Sequence, residues 1–420
     1  MTETPSLLFL LDTPNIWRGR ALAGTPARTL ALAEHAHRAG ASVTLVLCDR
    51  GADYGLVWPC DTVLVHPADF YDPAALAAVV EPRAVDFVVV CEAEAMLKVG
   101  AGLSRRLGAR SVYDVHDDDA GVSRTLGEPE SVVHVRARTQ RAALEVADFV
   151  VVSTRNELAL AVEVCGEDRR IVLLPNGADT ALRTCWGPDL TSTPLLTFLG
   201  NLYYEPNARA VEAIRTAILP RLSAAGLDVR VRVVGRGPAA VTADPRIEFT
   251  GRADTVDAAL RGTTLALAPL TAGSGAKMKV LDYMAAGLPV LGTGHAVTGL
   301  PVDHPGVVVD DDMRQWPRLI AELLADPAAL RRIGTDGRAC VETELSWSRI
   351  GTDLLRATWS WRLDPPRADR SRTHHFGTPR WLTEHATQDA LGEPIETGPG
   401  RPCWLRRSDH DACDVEGRPR

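Results

Sequence analysis

The sequence predicts an α/β protein built from two tandem, doubly wound domains that face each other across a cleft. Unbroken apolar strands alternate with amphipathic helical segments, which is the signature of a parallel sheet covered on both faces. The alternation stops in a polar, turn-rich stretch and then starts again. In order, the first half reads SLLFLL (6–11), a helix-like TPARTLALAEHAHRAG (25–40), SVTLVLC (42–48), DFVVVC (86–91), SVYDV (111–115), DFVVVST (148–154) and IVLLPNG (171–177). NGADTALRTCWGPDLTSTP follows as a linker, and LLTFLG (195–200), VRVRVVG (229–235), IEFTG (247–251), TLALAPL (264–270) and PVLGT (289–293) open the second series. The expected units are residues 1–185, residues 195–345, a closing helix at 346–364, and a charged, Pro- and Gly-rich tail at 365–420 that reads as disordered. Sheets of this kind bind ligands outside the carboxyl ends of their strands.

Composition narrows the function. A net charge of −8 argues against a nucleic-acid partner, whose phosphates call for a basic surface. Eight scattered cysteines show no CxxC and no His at metal-ligand spacing, so no metal site is expected and the thiols read as reduced and cytoplasmic. The apolar run near the N-terminus lacks a basic flank and reads as a buried strand instead of a signal peptide. No apolar stretch approaches the roughly 20 residues that span a bilayer.

One stretch stands out. GSGAKMKVLDYMAAGLPV (273–290) holds two of the three lysines in a chain with 46 basic residues. It follows an apolar strand, so Gly273, Ser274 and Gly275 turn the chain toward the cleft into a helix. Glycine lets backbone approach a ligand, and the first helical turn and its dipole favour an anion such as phosphate. Lys279 and Asp282 share a helix face, Lys277 lies nearly opposite, and Gly287 with Pro289 stops the helix. A Gly-rich turn carrying a surface Lys–Asp pair worth about 0.3 kcal/mol accounts for the same residues about as well.

The ordered set of segments is more specific. GSGAKMKVLDYMAAGLPVLGT, preceded by FLGNLYYEPNARAVEAI, VVGRGP and IEFTGR, resembles the second domain of family-four retaining glycosyltransferases of the GT-B fold, which has two Rossmann-like domains. GTPARTLALAEHAHRAGASVTLV, RSVYDVHD, ADFVVVST and VLLPNGAD resemble the first domain, so the likeness runs from residue 6 to about 361. It implies a nucleotide-diphosphate sugar donor, UDP favoured over GDP, no metal or other cofactor, and transfer to an acceptor hydroxyl with retention. The implied donor-binding residues are Gly24, Thr25, Gly273, Ser274, Gly275, Lys277, Lys279 and Asp282, with His116 and Lys279 in catalytic roles. Asp282 stands where the family's second motif Glu contacts the ribose, Ser274 where the first Glu would be, and His116 where the donor sugar is hydrogen-bonded.

Two departures bear on activity. Many relatives carry Arg and Lys after the first strand of the second domain, where this chain has Asn201 and Pro206. The charge of the leaving diphosphate then falls to Lys277, Lys279 and the helix N-terminus. Arg18, Arg20 and Arg28 read as phosphate or acceptor ligands or, more conservatively, as surface arginines. Asp117 to Asp119 and Asp310 to Asp312 read as solvated loops, and Glu92 and Glu94 as candidates to face the acceptor. The acceptor itself, a small metabolite or a peptide by the acidic balance, and the oligomeric state are not readable. A nucleotide-sugar epimerase or hydrolase, and a catalytically silent GT-B binding subunit, are the competing readings.

Overall fold

The computed structural model describes residues 4–12, 24–49, 58–81, 83–166, 170–179, 187–191, 193–237, 244–273, 275–301 and 303–364. Ser274, Arg18, Arg20 and the whole tail at 365–420 lie outside these residues.

Seven strands form the first sheet: β1 (Ser6–Leu11), β2 (Ser42–Cys48), β3 (Asp61–Val65), β4 (Phe87–Val90), β5 (Arg110–Val115), β6 (Phe149–Val152) and β7 (Ile171–Leu173). Six form the second: β8 (Leu195–Leu199), β9 (Arg230–Val234), β10 (Ile247–Gly251), β11 (Leu265–Ala268), β12 (Val290–Gly292) and β13 (Val307–Val309). Every pairing is parallel, in the orders β3-β2-β1-β4-β5-β6-β7 and β10-β9-β8-β11-β12-β13. Strand order reverses between β1 and β4 and again between β8 and β11, and these switch points are where such sheets open a crevice for ligands. The central strands are apolar because both faces are buried: all four residues of β4, β6 and β11 are in the core. The strands absent from the sequence reading, β3 and β13, lie at sheet edges and are partly exposed.

The two domains are tied together by the helix Trp347–Leu363, capped by Ser346 accepting from the Arg349 amide. It leaves the second domain and packs on the first, burying Trp347, Ile350, Leu354 and Trp361 among residues of β1, β2 and β6. The Trp361 ring stacks on Phe149 with centroids 4.5 Å apart. Gly351 is needed at the crossing with the helix Gly24–Arg38, since a Cβ there would lie 2.5 Å from the His35 carbonyl carbon. Arg362 pairs with Asp86 at 2.9 Å, and Arg110 donates to the Trp361 and Asp364 carbonyls.

Candidate functional site

The strand β11 ends at Ala268, and the chain turns through Gly273 (φ 94°) and Gly275 (φ 66°) before the helix Met278–Ala285. Both glycines sit in the left-handed region, where other residues are strained. The turn is pressed against the first domain. The Gly273 amide donates to Thr125 Oγ1 at 3.3 Å, and a Cβ on Gly275 would lie 2.3 Å from Asp117 Oδ1 and 2.7 Å from the His116 carbonyl. Gly275→Ala is therefore expected to lower stability by about 1–3 kcal/mol, read by thermal unfolding. An unchanged melting temperature would mean that this contact between the domains contributes nothing.

The lysines of the stretch differ in placement. Lys277 precedes the helix and folds its ammonium back on the Gly275 carbonyl at 2.9 Å. Burial pushes it down to about 8, against the pull of Asp117 and Glu157 of the first domain. Lys279 reaches the other way: its ammonium lies 4.3 Å from the centre of the Phe198 ring and donates to Asn207 Oδ1. Asn207 in turn donates to the Asn201 carbonyl at 2.9 Å. Lys279 thus brings its ammonium to Asn207 on the helix Glu205–Ala213, which links it to the Asn201 carbonyl in the turn after β8. Burial, and then the Lys277 charge, push Lys279 down to about 7. Asp282 lies on the same helix, half-buried, one turn beyond Lys279. The helix ends as expected: Gly287 has φ 71° and donates to Met284, and the Leu288 amide donates to Tyr283, closing the last turn.

Across the cleft, His116 follows β5 directly. Its Nε2 lies 2.8 Å from Asp114 Oδ2, two residues back on the same strand face. Asp114 is held in turn by Arg28, whose Nη2 and Nε lie 2.8 and 3.1 Å from Oδ1. Arg28 is 1% exposed, which corrects its reading as a surface or ligand-binding arginine; its remaining donors reach the Leu174 and Pro175 carbonyls and Asn176. Burial opposes charge on Asp114, but Arg28 and then His116 outweigh it and hold the carboxyl well below the usual carboxylate range. With Nε2 committed to a carboxylate, His116 Nδ1 is buried and has no partner among the described residues. In the neutral tautomer that gives Nε2–H to the carboxylate, Nδ1 is an acceptor.

Gly24 and Thr25 open the helix Gly24–Arg38, which also carries Arg28. The aspartates after His116 are not a solvated loop: Asp118 caps the helix Asp119–Thr125 by accepting from Gly121, and Gln140 bridges Asp117 and Asp119 through their backbone. Asp310 to Asp312 do form a surface turn, in which Asp311 accepts from the Gly294 amide at 2.8 Å.

Several residues near the turn escaped the sequence reading. Glu157, 1% exposed, accepts from Thr154 and Ser153 at the start of the helix Arg155–Cys165, and its Oε1 has no partner among the described residues. Burial pushes its carboxyl up. The T-x-x-E spacing of Thr154 and Glu157, a capping box, was the available signal. His295, after β12, hydrogen-bonds the backbone of Ala272 and Gly273, and its Nε2 has no partner among the described residues. At the switch point of the first sheet, Tyr71 donates to Asp12 at 2.7 Å, and Glu92 after β4 is pushed up to about 7 by burial and then by Asp12, Glu94 and Asp119. Glu94 is instead paired with Lys98 at 3.0 Å.

Two family models match in tandem, one to each domain: Glycosyltransferase Family 4 over residues 23–182 and Glycosyl transferases group 1 over residues 193–326. The chain belongs to the group 1, family 4-like glycosyltransferases. A similar glycosyltransferase is the GDP-mannose-dependent monoacylated alpha-(1-6)-phosphatidylinositol monomannoside mannosyltransferase of Corynebacterium glutamicum, 26% identical over 336 residues that cover 73% of this chain and 84% of that protein. Solved structures share the GT-B fold. Sucrose-phosphate synthase from Thermosynechococcus elongatus superposes with a TM-score of 0.68 at 15% identity, covering 85% of this chain and 99% of the other. Anabaena HepE in complex with UDP and glucose gives 0.64 at 14% identity, with 84% and 99% covered.

Proposed function

We propose that this glycosyltransferase moves a sugar from a nucleotide-diphosphate sugar to an acceptor hydroxyl with retention of configuration. The observation that carries the reading is a positive-φ glycine turn of the second domain packed against His116 and Asp117 of the first, flanked by two desolvated lysines, Lys277 at the turn and Lys279 on the helix behind it. The diphosphate would lie along the turn. Lys277 and Lys279 would offset the charge that grows as the bond from the anomeric carbon to the phosphate oxygen breaks. The acceptor oxygen bonds that carbon on the same face, and its proton leaves with the departing phosphate. His116 Nδ1 accepts a hydroxyl of the donor sugar, and Asp282 one of the ribose. The acceptor hydroxyl enters by the crevice between β1 and β4, beside Asp12 and Glu92. Closure of the two domains excludes water from the exchange. Against the silent-subunit reading, which rests on Ser274, Asn201 and Pro206, stands Lys279, whose ammonium donates to Asn207 beside the turn that carries Asn201.

Uridine is the first base to test and guanosine the second: HepE was solved with UDP, whereas the Corynebacterium relative is named for GDP-mannose. Thermal unfolding with UDP, GDP and ADP decides it. A ligand at 100 times its dissociation constant adds about 2.7 kcal/mol of stability, and one base is expected to stand out. If no nucleoside diphosphate or nucleotide sugar shifts the transition, the donor assignment fails.

A further inference from the structure

We infer that the flank of the first domain carries a second, separate site for a phosphate-bearing ligand, formed by Lys98, Arg105 and Arg106. The helix that starts at Ala93 widens into a π-turn at Met96–Gly100 and continues as Ala101–Leu107. Single π-turns inside helices recur at functional positions. Here the helix borders a hollow of about 400 Å³ lined by Pro73, Leu97, Lys98, Gly102, Arg105 and Arg106. That volume is within the range of small-molecule sites. Gly102 lets this helix approach the helix Pro73–Val80 closely, since a Cβ on it would lie 2.9 Å from Pro73 Cγ.

Charge identifies the guest. Half of the lining residues are cations and none is acidic, in a chain whose net charge is −8. Lys98 has Glu94 as a counter-charge, but Arg105 and Arg106 make no side-chain hydrogen bond or ion pair among the described residues. Arg83, Arg136 and Arg141 of this domain are tied to Asp61, Glu128 and Glu145, while Arg124 and Arg155, like Arg105 and Arg106, make no such pair among the described residues; what sets Arg105 and Arg106 apart is the hollow they share with Lys98. A position in the last turn of a helix favours one cation through the dipole. It does not account for three around one hollow. Adjacent guanidinium forks present paired donors that match phosphate oxygens, and Lys98 adds a point charge. The site is distinct from the cleft: Arg105 is 13 residues along the helical path from Glu92, about 20 Å at the usual rise.

Two sources share this chemistry, a phospholipid headgroup and a soluble phosphate ester, and one experiment separates them. The full chain and an Arg105→Gln, Arg106→Gln variant are compared for sedimentation with neutral and with anionic phospholipid vesicles, and for binding of inorganic phosphate and glycerol phosphate in solution. The wild type is expected to bind at least one anionic probe, more weakly as salt rises, and the variant to lose about tenfold or more in affinity. Binding to anionic vesicles alone assigns the headgroup; binding in solution assigns the ester. Both positions are exposed, so the variant should keep its melting temperature and its nucleoside diphosphate shift, which separates this site from the donor site. If neither probe binds the wild type at millimolar concentration, or if the variant binds as well as the wild type, the inference is wrong.

Discussion

Replacing Lys279 by methionine is expected to slow sugar transfer by about 100-fold or more, with little change in stability. Methionine keeps the unbranched shape, and what the fold loses in the hydrogen bond to Asn207 and the contact with Phe198 is offset by removing a desolvated charge. The pH dependence of the wild type points to the same group. In the free protein Lys279 titrates at about 7 and Lys277 at about 8, both below the free lysine value of 10.5. An adjacent diphosphate favours the charged forms, so its binding should be tight near pH 7 and weaken toward pH 9, more steeply in the wild type than in the variant. Without ligand the sign is opposite. Between about 7 and 10.5 the unfolded chain holds protons that the folded lysines have released, so these groups make stability rise with pH in that window. Measured nucleotide affinity that stays flat from pH 7 to 9 would remove both lysines from the donor site.

Asp114→Asn is expected to destabilise the protein by about 3–5 kcal/mol, because it leaves the Arg28 guanidinium buried without its counter-charge. Activity should fall further than unfolding explains. The carboxylate fixes His116 through Nε2, and an amide there no longer enforces which ring nitrogen carries the proton. An Arg28→Met, Asp114→Leu double variant separates the two effects: it should regain part of the stability, since no lone charge remains, but not the activity. Equal recovery of both would make the pair purely structural. The wild-type carboxyl titrates below its unfolded value of about 3.9, so its contribution is present above that pH and is lost as pH falls beneath it. The acid limb of the unfolding curve should accordingly be shallower in Asp114→Asn.

The central strands were legible because burial on both faces leaves little room for polar residues, as in FVVV at both β4 and β6. Edge strands escape that constraint. DTVLV at β3 is buried only at Val65, and three valines at β13 are too short a run to register. In the site, the glycine turn and the helix stop were legible because positive φ and helix ends are local properties, visible in GSG and AAGLP. Arg28 was not, because its burial depends on an aspartate 86 residues away and on carbonyls near residue 175. The direction in which Lys279 points was equally hidden: the sequence places it beside Asp282 but is silent on Phe198 and Asn207 of another layer.

The helix Trp347–Leu363 has a consequence for synthesis. The core of the second domain is drawn from residues 178–345, whereas that of the first includes Trp347, Ile350, Leu354 and Trp361. The roughly 170 residues between β7 and this helix take about 10–35 s to emerge at about 5–20 residues per second. Throughout that interval the nascent first sheet has its seven strands but an open apolar seat where Trp361 will stack on Phe149. Aggregation or chaperone capture should therefore act on that seat, and a released chain that ends just before residue 346 should hold a complete second-domain core beside an unfinished first one. The domain made first is finished last.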